Sequence, residues 1–148
     1  MQPLKLPTCD LKLKNEEGNQ FVFDIIRKKY VVLTPEEWVR QHFIHLMINH
    51  LGYPKSLMKV ESGLSYFKSA KRSDITLRTS EGKLFLLVEC KAPDVKLDQK
   101  ALNQVSIYNK ELKANNVALT NGLQHFIWSF DELKDQYTQQ KEFPKFGG

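Results

Sequence analysis

The chain has 148 residues, of which 41% are hydrophobic, enough for one globular core and little more. Its formal charge of +5 and pI of about 9.1 permit a polyanionic partner without requiring one. No segment reaches the roughly 20 apolar residues that cross a bilayer, and the N-terminus lacks the apolar block of a secretion signal. We therefore expect a cytoplasmic protein with no membrane partner. Its two cysteines form no CxxC pair, which excludes a zinc ribbon.

The chain is expected to form a single domain over residues 21–148, preceded by an irregular lead-in over residues 1–20. Two prolines and a glycine interrupt any periodic pattern in the lead-in. The segments QFVFDII and KYVVL then flank the basic pair Arg27-Lys28. Because two apolar strands around a short polar connection are typical of a hairpin, the sequence predicts an N-terminal β-hairpin.

A helix is predicted from Thr34 to about Leu51. Thr34 is the expected N-cap residue, and Pro35 takes the first helical position, where its missing N–H is not needed. Two acidic residues, Glu36 and Glu37, follow near the positive end of the helix dipole.

The rest of the chain alternates short apolar segments with one helical segment. The predicted elements are a strand at 57–61, an antiparallel strand pair at 73–79 and 83–92, a helix at 97–114, strands at 116–120 and 123–130, and a weak helix at 131–140. A crossover helix between strands implies an α/β domain with a mixed sheet and helices covering its faces.

Asp74, Glu89 and Lys91 form the grouping with the clearest chemistry. Side chains alternate along a strand, so Glu89 and Lys91 project from one face. If the turn at Glu81-Gly82 sets the register, Asp74 lies beside Glu89 on the neighbouring strand. The two carboxylates and the backbone carbonyl of Cys90 are the hard oxygen ligands that Mg²⁺ prefers, and we expect Mn²⁺ to substitute. Lys91 is then placed to orient an attacking water or to stabilise charge on a phosphate.

The alternative for these charges is a cross-strand salt bridge on a solvated face, which suits an arbitrary match to so short a pattern. Glu89 and Lys91, however, end the apolar run LFLLV. Charges without a role would be costly to keep there. The sequence therefore favours a catalytic group in which Asp74 and Glu89 bind the metal.

Further candidates lie on the two helices and in a basic loop. Glu36 and Arg40 are spaced i,i+4 within the apolar arc of the first helix, where a functional pair and a simple intrahelical ion pair are equally compatible. Glu37, nearer the edge of the arc, ranks second to Glu36 as a site acid. On the second helix, Gln104 and Tyr108 are spaced i,i+4 on the side facing the sheet, where the glutamine needs a polar partner that the edge of the site could supply. Lys71 and Arg72, just before Asp74, could contact a phosphate backbone together with Arg40, although basic residues in a loop are more often simply solvated.

Five segments carry a resemblance to a known family: TPEEWVRQ, KRSDI, VECKAP, QVSIYN and LTNGL. In this order and spacing they resemble the N-terminal nuclease domain of type I restriction enzyme motor subunits. More closely, they are similar to the small stand-alone relatives of that domain in the PD-(D/E)xK superfamily. The likeness covers roughly residues 21–130.

The resemblance implies a restriction-endonuclease-like three-layer α/β/α fold and Mg²⁺-dependent cleavage of DNA. It makes Asp74 and Glu89 metal ligands, Lys91 the catalytic lysine and Glu36 the first-helix acid, while Gln104 and Tyr108 match a QxxxY motif that positions DNA or the lysine. Ser73 replaces the usual proline before the first aspartate. No helicase motor or Walker motif occurs in these residues, so the biological role does not carry over with the chemistry.

Two readings of function therefore stand beside each other. In the first, the chain is a DNA endonuclease, working with a protein partner that supplies specificity or a motor, or as a homodimer that cuts both strands. In the second, it is a non-catalytic module that binds DNA or a protein partner on a nuclease fold.

Overall fold

A computed structural model of the chain describes residues 1–62, 73–100, 103 and 113–147. The described strands form a three-stranded and a six-stranded sheet. In chain order the elements are β1 (Leu13–Glu16), β2 (Asn19–Asp24), β3 (Lys29–Val32), α1 (Pro35–Asn49), β4 (Met58–Ser62), β5 (Ser73–Arg78), β6 (Leu84–Cys90), β7 (Asn116–Thr120), β8 (His125–Asp131) and β9 (Gln136–Gln140).

The three-stranded sheet is an antiparallel meander of β1, β2 and β3. The predicted hairpin of β2 and β3 is confirmed, but the prediction that residues 1–20 are irregular is wrong, because β1 lies within them. Glu17 and Gly18 both have positive φ, 52° and 82°, and join Glu16 to its partner Asn19. Such a two-residue turn matches the twist of the strands it connects.

Helix α1 begins where the sequence predicts. The hydroxyl of Thr34 accepts a hydrogen bond of 3.0 Å from the backbone N–H of Glu37 and so caps the first turn. The helix ends at Asn49, two residues before the predicted end. Among the described residues, no helix is long and apolar enough to cross a membrane.

The six-stranded sheet has the order β4-β5-β6-β7-β8-β9. Only β6 and β7 pair in parallel, and the other described neighbours are antiparallel, so the sheet is mixed as predicted. The parallel pair places the carboxyl ends of β6 and β7 at one edge of the sheet, with Cys90 opposite Thr120. The α/β class is therefore confirmed.

Both faces of the six-stranded sheet carry buried apolar side chains. On one face Ile75 and Val88 pack in a cluster with Phe43 and Ile44 of α1. On the other face Leu87, Val117, Leu119 and Trp128 form a second cluster with Leu97 and Ala114. Most of the helix predicted over residues 97–114 lies outside the described residues.

The C-terminal prediction of a weak helix at 131–140 is wrong. The carboxylate of Asp131 accepts hydrogen bonds from the N–H groups of Leu133 and Lys134, at 3.0 and 3.3 Å, and folds the chain into a turn. Asp135 then has a φ of 51°, which ends any helical path. The chain returns as β9 and pairs with β8.

Candidate active site

Asp74 and Glu89 occupy adjacent strands at the same level of the sheet. Ile75 pairs with Val88, and one step further along each strand are Asp74 and Glu89. Since Ile75 and Val88 pack under α1, alternation directs the two acidic side chains to the opposite face. Both residues are only 1% exposed.

Lys91 follows directly after β6 and is held there by the neighbouring strand. Its backbone N–H donates to the carbonyl of Thr120 at 2.8 Å, which extends the parallel pairing by one residue. Its Nζ lies 3.3 Å from Oε1 of Glu89. This contact brings the two side chains together on one face, as strand alternation predicts.

The burial of these groups argues against a solvated salt bridge. Lys91 is 3% exposed, and both carboxylates beside it are more buried still. An exposed ion pair needs no desolvation, whereas moving a charge out of water carries a penalty that a single partner does not fully offset. Three ionisable residues at one strand end are therefore held at an energetic cost, which is common at functional sites.

Glu61 is an acidic neighbour that the sequence analysis did not single out. It pairs directly with Asp74 across β4 and β5, so three acidic residues form a row on one face. Its side chain, however, is 29% exposed and accepts hydrogen bonds from Thr76 and, at 3.3 Å, from Arg78. The sequence feature that could have identified Glu61 as a neighbour of the site is its position as the last residue of the predicted strand 57–61.

The first-helix acids are organised around Arg40. The guanidinium donates to Glu36 at 2.7 Å and to Glu37 at 2.8 Å. Glu37 also accepts from Arg27 and Gln41, at 2.8 and 2.9 Å. The side chain of Glu37 is 8% exposed and that of Glu36 27%, so the residue ranked second is the more buried.

Cys90 lies between the two groups of charges. Burial raises the pKa of its thiol strongly; Arg40 works against this shift, and Asp74 and Glu36 add to it. Cys90 packs in the cluster with α1, whereas its chain neighbours Glu89 and Lys91 project from the other face.

The donor set around Glu89 suits a hard divalent cation. Asp74 and Glu89 could offer carboxylate oxygens and Cys90 its backbone carbonyl, which are oxygen ligands of the kind that Mg²⁺ accepts. Across the described ranges, no three His, Cys, Asp or Glu side chains are grouped closely enough to hold a metal ion. A cation here would therefore rest on two carboxylates, the carbonyl and solvent.

Four of the predicted site residues, Lys71, Arg72, Gln104 and Tyr108, lie outside the described residues. Their placement relative to Asp74 and Lys91 stays a prediction.

Part of the chain matches a known protein family. The family model described as Type I restriction enzyme R protein N terminus (HSDR_N) matches residues 35–144. The match begins at α1 and includes Asp74, Glu89 and Lys91, but leaves out β1, β2 and β3. No curated protein matches the chain.

Proposed function

Because the chain belongs to the type I restriction enzyme R protein N-terminal family, we propose that it is a Mg²⁺-dependent endonuclease domain that hydrolyses phosphodiester bonds in DNA. The observation that carries the proposal is the buried group of Asp74, Glu89 and Lys91 at one strand end. The proposal includes a three-layer, restriction-endonuclease-like fold. Burial of both faces of the sheet supports this arrangement, with α1 on one side.

Asp74, Glu89 and the carbonyl of Cys90 would hold the ion, with Mn²⁺ as a substitute. When bound, Mg²⁺ would supply Lewis-acid assistance by offsetting negative charge that develops on the phosphate. The two carboxylates would act as fixed ligands, since their strands are locked into the sheet by pairing on both sides. A site built on paired strands is more rigid than one built on loops.

Lys91 would stabilise the reacting phosphate by donating hydrogen bonds to its oxygens. Its ammonium lies 3.3 Å from Glu89, which fixes its position before the substrate arrives. In a site with little water, an oriented cation stabilises developing negative charge more strongly than it would in solvent. Glu89 would therefore serve both as a metal ligand and as the group that orients Lys91.

The helix residues would support this centre. Glu36 would be the first-helix acid, and Arg40, which binds Glu36 at 2.7 Å, would hold it or contact DNA. Gln104 would position Lys91, and Tyr108, Lys71 and Arg72 would contact the DNA backbone. A protein partner would supply specificity or a motor, or a second copy of the chain would allow both strands to be cut.

The test is cleavage of supercoiled plasmid DNA. We expect nicking with Mg²⁺ or Mn²⁺ and none with EDTA. Lys91→Gln keeps a polar, unbranched side chain that is one atom shorter and removes the charge, so it should lower the cleavage rate by at least about 100-fold. An unfolding curve of each variant shows whether the fold is retained.

Glu61→Gln provides the matched control. It removes a carboxylate from the same row of the sheet, but one whose hydrogen bonds go to Thr76 and Arg78. This variant should cut at close to the wild-type rate, whereas Glu89→Gln should be inactive. Cleavage by Lys91→Gln at the wild-type rate would contradict the proposal, and DNA binding without any metal-dependent cleavage would favour the non-catalytic module.

A further inference from the structure

The three-stranded sheet presents aromatic rings and lysines on one face, which we call the outer face. Cross-strand pairing aligns Lys14 with Phe21 and Val32, and Phe23 with Tyr30. Because cross-strand partners share a face, and alternate residues along β2 do too, these side chains lie together. The outer face consists of Lys12, Lys14, Glu16, Asn19, Phe21, Phe23, Tyr30 and Val32. Its one carboxylate, that of Glu16, lies 3.3 Å from the Nζ of Lys14.

The ammonium groups sit directly over the rings. The Nζ of Lys14 is 4.2 Å from the ring centroid of Tyr30 and 5.8 Å from that of Phe21. The Nζ of Lys12 is 5.9 Å from the centroid of Phe23. Phe23 and Tyr30 contact each other edge to face, with centroids 5.2 Å apart. The two lysines therefore make cation–π contacts with the aromatic rings of the outer face.

The outer face contributes to neither of the two described apolar clusters. Its aromatic and aliphatic side chains are absent from both, and Tyr30 and Val32 are 38% and 57% exposed. The inner face of the same sheet, by contrast, fully buries Val22. Cross-strand ring pairs alone would stabilise the hairpins, but they would not require lysines beside each ring.

We propose that the outer face binds single-stranded DNA. Bases stack on aromatic rings regardless of sequence. A stacked base would displace the ammonium group from the face of its ring, and the displaced lysine would neutralise the neighbouring phosphate. An apolar protein partner or a lipid tail would have to desolvate Lys12 and Lys14, whereas a polyanion exchanges their water for phosphate oxygens. The proposal rests on the proposed function only for the choice of DNA over RNA.

The site would be held rigidly against α1. At the β2–β3 turn, Arg27 donates to Glu37 of the helix at 2.8 Å, and Gln41 donates to Asp24 at 3.0 Å. Leu33 and Thr34 join β3 directly to α1. A DNA strand bound to the outer face would therefore be held at a fixed position relative to α1, the helix that carries Glu36.

The experiment measures binding of a fluorescent oligothymidylate to the full chain in EDTA, where no cleavage occurs. Tyr30→Leu keeps apolar bulk but removes the ring, so we expect about tenfold weaker binding, while Tyr30→Phe keeps the ring and the affinity. Lys14→Gln should reduce the slope of log Kd against log salt by about 0.7. Lys134→Gln, at the exposed β8–β9 turn, removes the same charge elsewhere and should change neither quantity.

Equal binding by the wild type and Tyr30→Leu would overturn the proposal, as would an unchanged salt slope in Lys14→Gln or no binding of the oligonucleotide at all. Because binding is measured without metal, failure here leaves the nuclease proposal intact. Conversely, an inactive nuclease centre would leave binding by the outer face unchanged.

Discussion

Asp24 shows how a single buried carboxylate can join two elements. One oxygen accepts from the N–H groups of Ile26 and Arg27 at 2.7 and 2.8 Å, and the other accepts from the side chains of Arg27 and Gln41 at 2.6 and 3.0 Å. Burial favours the neutral acid, but these hydrogen bonds outweigh it and lower the pKa of Asp24 below its usual value.

Asp24→Asn should lower the free energy of unfolding by about 1–3 kcal/mol at neutral pH, because it removes charge-assisted hydrogen bonds to Arg27. A carboxylate whose pKa is lower in the folded state stabilises the fold above its unfolded pKa of about 3.9 and loses this effect as the pH falls. Urea unfolding at several pH values should therefore show the difference between wild type and variant shrinking below about pH 4. A difference that is constant from pH 7 to pH 3 would contradict this account.

The side-chain geometry of the site was only partly predictable from the sequence. Strand alternation was sufficient to place Glu89 and Lys91 on one face, and one turn was sufficient to place Asp74 beside Glu89, because these relations are local. The helical wheel ranked Glu36 above Glu37, yet Glu37 is the more buried. The partner that draws Glu37 inward is Arg27, which comes from the β2–β3 turn and cannot be anticipated from the periodicity of α1.

At the scale of elements, the N-terminal lead-in passes across the β7–β8 turn. Lys5 donates its N–H to the carbonyl of Gly122 at 2.8 Å, and His125 contacts the carbonyl of Lys5 at 3.0 Å. Gly122 has a φ of 86°, and a Cβ at this position would lie 2.7 Å from Cδ2 of Leu4. The backbone conformation therefore favours glycine, and a Cβ would in addition force the end of the Leu4 side chain to shift.

Gly122→Ala should lower the free energy of unfolding by about 2–4 kcal/mol, the sum of left-handed strain and the clash with Leu4. Gly82→Ala is the matched control, because Gly82 has a φ of 87° and a methyl group added there would meet no atom within 4 Å. Gly82→Ala should lower the free energy of unfolding by the left-handed strain alone, about 1–2 kcal/mol. Adding Leu4→Ala to Gly122→Ala should remove the part of the destabilisation that comes from the clash. If urea unfolding shows that Gly122→Ala and Gly82→Ala lose the same free energy of unfolding, there is no such clash.

The central elements were predictable because their patterns are strong. The strands β4 to β8 and the helix α1 follow from alternation, apolar runs and the Thr34 cap. The missed strands, β1 and β9, lie at sheet edges and have mostly exposed side chains, so their sequences carry little apolar pattern. Polar strands of this kind form because a neighbour offers backbone hydrogen bonds, which the sequence of the strand itself does not reveal.

At the scale of the whole molecule, two parts are joined through α1. The mixed sheet and α1 fall within the family match over residues 35–144, and the three-stranded sheet precedes it. The class of fold could be predicted from the order of elements, since the long segment between β6 and β7 leaves room for the crossover that a parallel pair needs. The three-stranded sheet could not be predicted in full, because β1 was missed. The outer face, to which β1 contributes Lys14, was missed with it.

The central claim is that Asp74 and Glu89 hold one divalent cation beside Lys91. Its most direct test is a Mg²⁺ titration observed through the side-chain carboxyl resonances. The account predicts that the signals of Asp74 and Glu89 shift together with a single Kd, that the signal of Glu61 moves less, and that Asp74→Asn abolishes the Glu89 shift. Saturable shifts confined to exposed carboxylates, with Asp74 and Glu89 unchanged, would contradict it.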